Sequence, residues 1–118
     1  MGARSWRVRL AATALEDYQD ILQWTADQFG PDQARTYAET LSTALEDLCA
    51  GPGIVGAKAR SEIGPNLYTL HIARKGRKGR HFVMFQVGHA QGADVIDVLR
   101  ILHDSMDLER HLPVDDLH

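Results

Sequence analysis

The densest chemistry in this sequence is electrostatic. Between positions 74 and 80 five of seven residues are basic (Arg74, Lys75, Arg77, Lys78 and Arg80), and Gly76 and Gly79 allow a tight turn that presents them outward. Such a run suits phosphates or an acidic protein surface, and equally a solvated hairpin tip. It contains no aromatic residue, so base stacking finds no support in it. A second group, Arg100 and His103, emerges from the last apolar run and is followed by Met106 and Arg110. These nine residues are the candidate contacts for a partner or target. The plainer alternative for the second group is that Arg100 pairs with a carboxylate such as Asp97 or Asp107 while His103 caps a strand.

Bond-breaking machinery is harder to find. The chain lacks a phosphate-cradling Gly-x-x-x-x-Gly-Lys-Ser/Thr, a Gly-x-Gly-x-x-Gly, a His-Glu-x-x-His and paired cysteines. No catalytic residue, metal site or cofactor is therefore assigned. The six histidines are scattered, and His103 and His111 alone lie near acidic residues in sequence. Cys49 has no second cysteine to pair with and reads as a buried or half-buried structural thiol.

The net charge of −3 conceals a strong asymmetry. Residues 1–57 and 81–118 are acidic, whereas residues 58–80 hold seven Lys or Arg against one Glu. A basic site facing an acidic partner or a nucleic acid follows from that distribution. A length of 118 residues with 44% hydrophobic and 25% charged side chains fits one globular domain over 1–118. No apolar run reaches the ~20 residues of a membrane span, and no signal-like segment opens the chain, so a cytoplasmic location without membrane contact is expected.

The elements that must hold these residues follow from periodicity. Trp6 to Ala11 alternates apolar and basic residues as a strand does. Thr13 and Glu16 have the spacing of a capping box that opens helix one. Its stripe is Leu15, Tyr18, Leu22, Thr25 and Phe29, widened by Ile21 and Trp24. Gly30 and Pro31 end it and start helix two, with the stripe Ala34, Tyr37, Ala38, Leu41, Ala44, Leu45 and Leu48. Gly51, Pro52 and Gly53 stop that helix, and residues 54–66 read as a loop. Three β-like runs follow, Leu67 to Ala73, His81 to Val87 and Asp94 to Leu102, forming an antiparallel meander whose face the helices cover. The expected core contains Leu22, Leu41, Leu45, Leu70, Phe85 and Leu99. Asp104 to Leu112 suggests a short terminal helix.

The order of these pieces carries a resemblance. Phe29-Gly30, Gln33-Ala34-x-x-Tyr37, Gly64-x-x-Leu67-Tyr68-x-x-His71-Ile72, and Val98-Leu99-Arg100-Ile101-Leu102-His103-x-x-Met106-Asp107-x-x-Arg110-His111-Leu112 together resemble the ParE toxins of the RelE/ParE superfamily, also known as plasmid-stabilisation proteins. The similarity spans about residues 7–112. It implies an α+β fold with the N-terminal strand and αα-hairpin packed on the meander, and a ParD-like antitoxin forming a hetero-oligomer with the toxin. It implies DNA gyrase as target, with no sequence-specific DNA binding by the toxin itself. The sister RelE branch, which cleaves messenger RNA on ribosomes, uses basic residues with a late Tyr or His. This chain has no tyrosine after Tyr68, which favours a binding protein over an endoribonuclease, with His103 or His111 as the proton carriers of the alternative.

Overall fold

The computed structural model describes residues 6–105. Its elements are β1 (Arg7–Leu10), α1 (Ala12–Phe29), α2 (Pro31–Asp47), a short 3-10 turn (Leu48–Ala50), β2 (Lys58–Ala59), β3 (Leu67–His71), β4 (His81–Ala90) and β5 (Ala93–His103). The five strands form one sheet in the order β1-β5-β4-β3-β2. The meander is antiparallel, and β1 joins it parallel to β5, with Arg7 to Leu10 opposite Val95 to Val98. Parallel pairing requires a crossover between the two strands, and the αα-hairpin lies within that connection. The expected terminal helix lies outside the described residues.

Both helices cover one face. Ala14 from α1, with Leu41 and Ala44 from α2 and Leu48 just beyond it, pack on Leu70, Ile72, Val83, Phe85, Ile96, Val98 and Ile101, all buried. Leu22 and Leu45 reach this core from its margin. Leu99 does not, contrary to expectation: it packs with Ile63 on Leu67 and Met84 in a second cluster. The reason is a β-bulge. Met84 faces Arg100 while the next residue, Phe85, faces Val98, so Leu99 is an extra residue that shifts the side-chain alternation. Apolar residues of both parities in β4 and β5 thus serve two covers, the helices on one side and the residue 60–66 loop, through Ile63, on the other.

Several boundaries move for local reasons. The α1 start makes no capping box: Ala11 is the N-cap, without a side-chain bond. Ala11 is still tied to the sheet through its N–H to the Val98 carbonyl, and the Thr13 hydroxyl instead donates to the carbonyl of the bulge residue Leu99 (2.9 Å). Leu15 and Phe29 are left exposed because the inward stripe of α1 runs through Ala14, Tyr18, Ile21, Leu22 and Thr25. The β4–β5 connection is shorter than the six residues expected. Gln91 and Gly92, both at positive φ, make a two-residue turn of I′ character that lets both strands lengthen. The 54–66 loop contributes the small edge strand β2, and Cys49 is exposed rather than buried.

Leu41 is fully enclosed between α2 and the sheet. Leu41→Ala should lower the unfolding free energy by about 2–5 kcal/mol in urea titration, and Leu22→Ala, at the core margin, by clearly less.

Candidate functional site

The basic run folds into two populations. Lys75 and Gly76 take positive φ at the tip of the β3–β4 connection, and the Arg77 N–H closes the turn on the Arg74 carbonyl (3.1 Å). Arg74 then points back under α2. Its Nε donates to Asp47 Oδ2 (2.9 Å), and a terminal guanidinium nitrogen donates to the Val55 carbonyl (2.7 Å). Lys75 Nζ takes the other Asp47 oxygen at 2.8 Å. Asp47 closes α2, where the helix dipole disfavours a carboxylate, and the two cations reverse that penalty. Desolvation pushes its carboxyl up, but hydrogen bonds from Lys75 and Arg74 and their charges hold it below the ordinary value. Arg74 and Lys75 are therefore structural ties. The side chains of Arg77 and Lys78 make no hydrogen bond or ion pair among the described residues. Arg80 is loosely held, its Nε 3.5 Å from Asp104 with the side chain 73% exposed.

Arg100 is likewise spoken for. Its Nε and a terminal nitrogen grip Asp17 of α1 at 2.7 and 3.0 Å, and the Ile101 N–H donates to the same carboxylate at 2.9 Å. Neither Asp97 nor Asp107 is the observed partner: Asp97 pairs with Arg9 across β1 and β5, and Asp107 lies outside the described residues. The sequence thus placed Arg100 beside His103, but the bulge directs it to the helix. Met106 and Arg110 also lie outside the described residues.

The free cations border an open groove between the αα-hairpin and the β3–β4 connection. Its floor and one wall come from Ile21, Trp24, Thr25 and Phe29 of α1 with Tyr37 of α2; the opposite wall holds Arg77, Lys78, Arg80, His81 and His103, and Ser105 sits at its end. Trp24 and Phe29 meet edge to face at 5.8 Å and remain 57% and 64% exposed. Large aromatics left bare beside cations are the composition of a partner-binding surface. Sequence periodicity had assigned both to the buried stripe. Both lie three or four residues from an inward-facing position, so periodicity carried no signal of their exposure.

Histidines gather where β3, β4 and β5 end. His81 and His103 face each other across β4 and β5 with rings 5.3 Å apart. His71 accepts the Ala73 N–H at Nδ1 and donates from Nε2 to Asp104 (3.0 Å), which fixes its tautomer. The His71 bond, with Arg80 and His103 nearby, holds the Asp104 carboxyl below its usual range. His103 Nδ1 accepts the Ser105 N–H and lies 2.8 Å from the Ser105 hydroxyl. Among the described residues no group of histidine, cysteine or carboxylate side chains could hold a metal ion, and no helix is long and apolar enough to cross a membrane.

This architecture defines the class. The toxin–antitoxin structure of a chromosomal ParDE system from P. aeruginosa superposes with a TM-score of 0.67 at 21% identity, covering 85% of this chain and 97% of that one. The RelBE2 toxin–antitoxin complex of Mycobacterium tuberculosis gives 0.53 at 20% identity, covering 84% and 98%. Both share the fold of two helices on a five-stranded sheet. Sequence narrows it further. Toxin ParE1 of M. tuberculosis is 34% identical over 108 residues, 92% of this chain and 99% of the relative. Toxin ParE1 of Caulobacter vibrioides is 29% identical over 104 residues, covering 88% and 95%. Residues 8–108 match the family described as the ParE toxin of the parDE type II toxin–antitoxin system, and the chain belongs to that family.

Because the Asp47 carboxyl is more acidic folded than unfolded, the stability it lends is present above the ordinary carboxylate value of 3.8 and is lost as pH falls below it. Asp47→Asn should cost about 1–3 kcal/mol at pH 7 by leaving Arg74 under-paired. Denaturant titrations at pH 7 and pH 3 should show that this difference shrinks on acidification.

Proposed function

We propose that this chain is a cytoplasmic toxin that poisons DNA gyrase and is held silent by a ParD-like antitoxin, with which it forms a hetero-oligomer. The observation that carries the antitoxin half of the reading is the groove: an aromatic floor at Trp24 and Phe29 beside the uncommitted cations Arg77 and Lys78. An extended or helical antitoxin segment with apolar anchors and carboxylates complements both surfaces. The gyrase half of the reading rests on the resemblance of the sequence to the ParE toxins alone. Family kinship also supports a role for such a pair in plasmid or chromosomal stabilisation.

The electrostatics of the groove favour binding over proton transfer. Burial raises the Tyr37 hydroxyl above its ordinary value, against the weaker opposing effect of the Arg80 N–H it accepts. Burial, aided by His103, lowers His81 to about 4. A general acid or base works best with a pKa near the operating pH, and these two are displaced away from it in opposite directions. His103, half-exposed in the groove lining, serves as a contact with the target, and Met106 and Arg110, later in the sequence, are assigned the same role.

The reading is tested by incubating purified toxin with gyrase, ATP and relaxed plasmid. Supercoiling should stop and gyrase-linked cleaved DNA should accumulate, and the polypeptide of the adjacent reading frame should reverse both effects. Messenger RNA cut on ribosomes while supercoiling proceeds unhindered would instead establish an endoribonuclease.

A further inference from the structure

The cationic wall of the groove is joined to the helical hairpin at one point. The Tyr37 hydroxyl, projecting from α2, accepts the Arg80 N–H at 2.9 Å and lies 2.6 Å from His81 Nδ1. While it accepts from Arg80 the hydroxyl still has its hydrogen to give to His81, an arrangement in which Nδ1 is the unprotonated nitrogen of a neutral ring. The two rings meet edge to face at 5.6 Å. Backbone packing brings the loop this close: a Cβ at Gly79 would stand 2.6 Å from Ile72 Cγ1 and 3.4 Å from the Tyr37 oxygen. Gly79 is therefore the residue type that lets the chain pass between the sheet core and Tyr37 without displacing either.

We infer that Tyr37 and His81 form a latch that holds the Arg77–Arg80 segment at a fixed distance from the helical hairpin, making both of them positioning residues for the acidic partner of the groove. Neither needs to touch that partner. The inference rests on the reading of the groove as the antitoxin seat, and it adds what sets the spacing between the aromatic floor and the cations. An acidic segment anchored on Trp24 and Phe29 meets Arg77 and Lys78 in register only while the loop is held; a released loop would make the same contacts at the cost of ordering it on binding.

The groups facing His81 set its protonation. Tyr37 donates from α2; His103 and Asp104 face it from the end of β5, His71 from β3, Asp17 from α1, and Arg80 adjoins it in the chain. Burial and the neighbouring His103 and His71 oppose a proton on His81, while Asp104 and Asp17 favour one, and the balance keeps the ring neutral to about pH 4. Through the neutral range the ring is thus available to accept from Tyr37, and once protonated on strong acidification it can only donate to the same oxygen, so the polarity of the contact reverses. Stability follows the same sign: between the ordinary histidine value of 6.5 and about 4 the unfolded chain takes up a proton that the folded chain refuses, so stability falls as pH falls through that window.

The test combines amide hydrogen exchange of the Arg77–Arg80 segment with calorimetric binding of the polypeptide encoded in the adjacent reading frame, across Tyr37→Phe, His81→Phe, His81→Asn and Trp24→Ala. In Tyr37→Phe the Arg80 amide, which loses its acceptor, should lose its exchange protection, and affinity should fall roughly tenfold. His81→Phe should weaken binding similarly, whereas His81→Asn, which keeps an acceptor near the position of Nδ1, should restore most of it. Unchanged protection of the Arg80 amide in Tyr37→Phe would show that no latch exists. Lost protection with unaltered affinity, alongside weakened binding by Trp24→Ala, would overturn the positioning role while leaving the groove as the seat. Unaltered affinity in Trp24→Ala and both latch variants would remove the groove reading itself.

Discussion

Much of the molecule depends on where one carboxylate sits. β1 pairs with β5 only as far as Leu10 opposite Val98, and beyond that point no strand among the described residues lies beside the β5 edge. The first turns of α1 take its place. Ala11 donates to Val98, Thr13 to Leu99, and Asp17 receives both the Ile101 N–H and the guanidinium of Arg100. With both side chains largely enclosed (16% and 25% exposed), the pair cannot exchange its partners for water cheaply. The bulge at Leu99 aims Arg100 at the helix, and the Asp17 contact fixes the line of α1 across the sheet. The groove is bounded by that same helix two turns further on, so its shape follows from this contact.

The same logic divides the basic residues. Charge density alone treats Arg74 to Arg80 as one patch, yet Asp47 and the Val55 carbonyl consume Arg74, and Asp47 also takes Lys75. These ties fasten the base of the loop to the end of α2, while the Tyr37 hydroxyl fastens its return at Arg80. Between the two anchors the side chains of Arg77 and Lys78 have no hydrogen-bond or ion-pair partner among the described residues. A loop tethered at both ends presents its charges at a defined place, so less conformational entropy is lost when a partner arrives.

Much of this was legible in the sequence. Period-2 and period-3.6 patterns located α1, α2 and the three strands of the meander, because tertiary packing uses the same apolar stripes that periodicity reveals. Leu41, Leu70 and Phe85 were recognised as core for that reason. What escaped were consequences of a single inserted residue and of unmarked pairings. Leu99 changed faces through a bulge that no residue type announces. Thr13 matched a capping box but was recruited by a nearby carbonyl. Arg100 found a carboxylate 83 positions away, and Tyr37 looked like one more apolar-stripe residue until the fold set its hydroxyl against His81. Long-range polar partners of this kind leave no local periodic trace.

The central claim is that the groove joins an aromatic floor to the exposed cationic segment Arg77–Arg80, and that this combination receives an acidic partner. The most direct measurement is the association rate of toxin with the polypeptide of the adjacent reading frame across a salt series, for the natural chain and for Arg77→Gln/Lys78→Gln/Arg80→Gln. Loss of these cations should slow association at low salt by about tenfold or more and flatten its salt dependence, with thermal stability nearly unchanged. An identical rate and an identical salt slope in the two proteins would contradict the account.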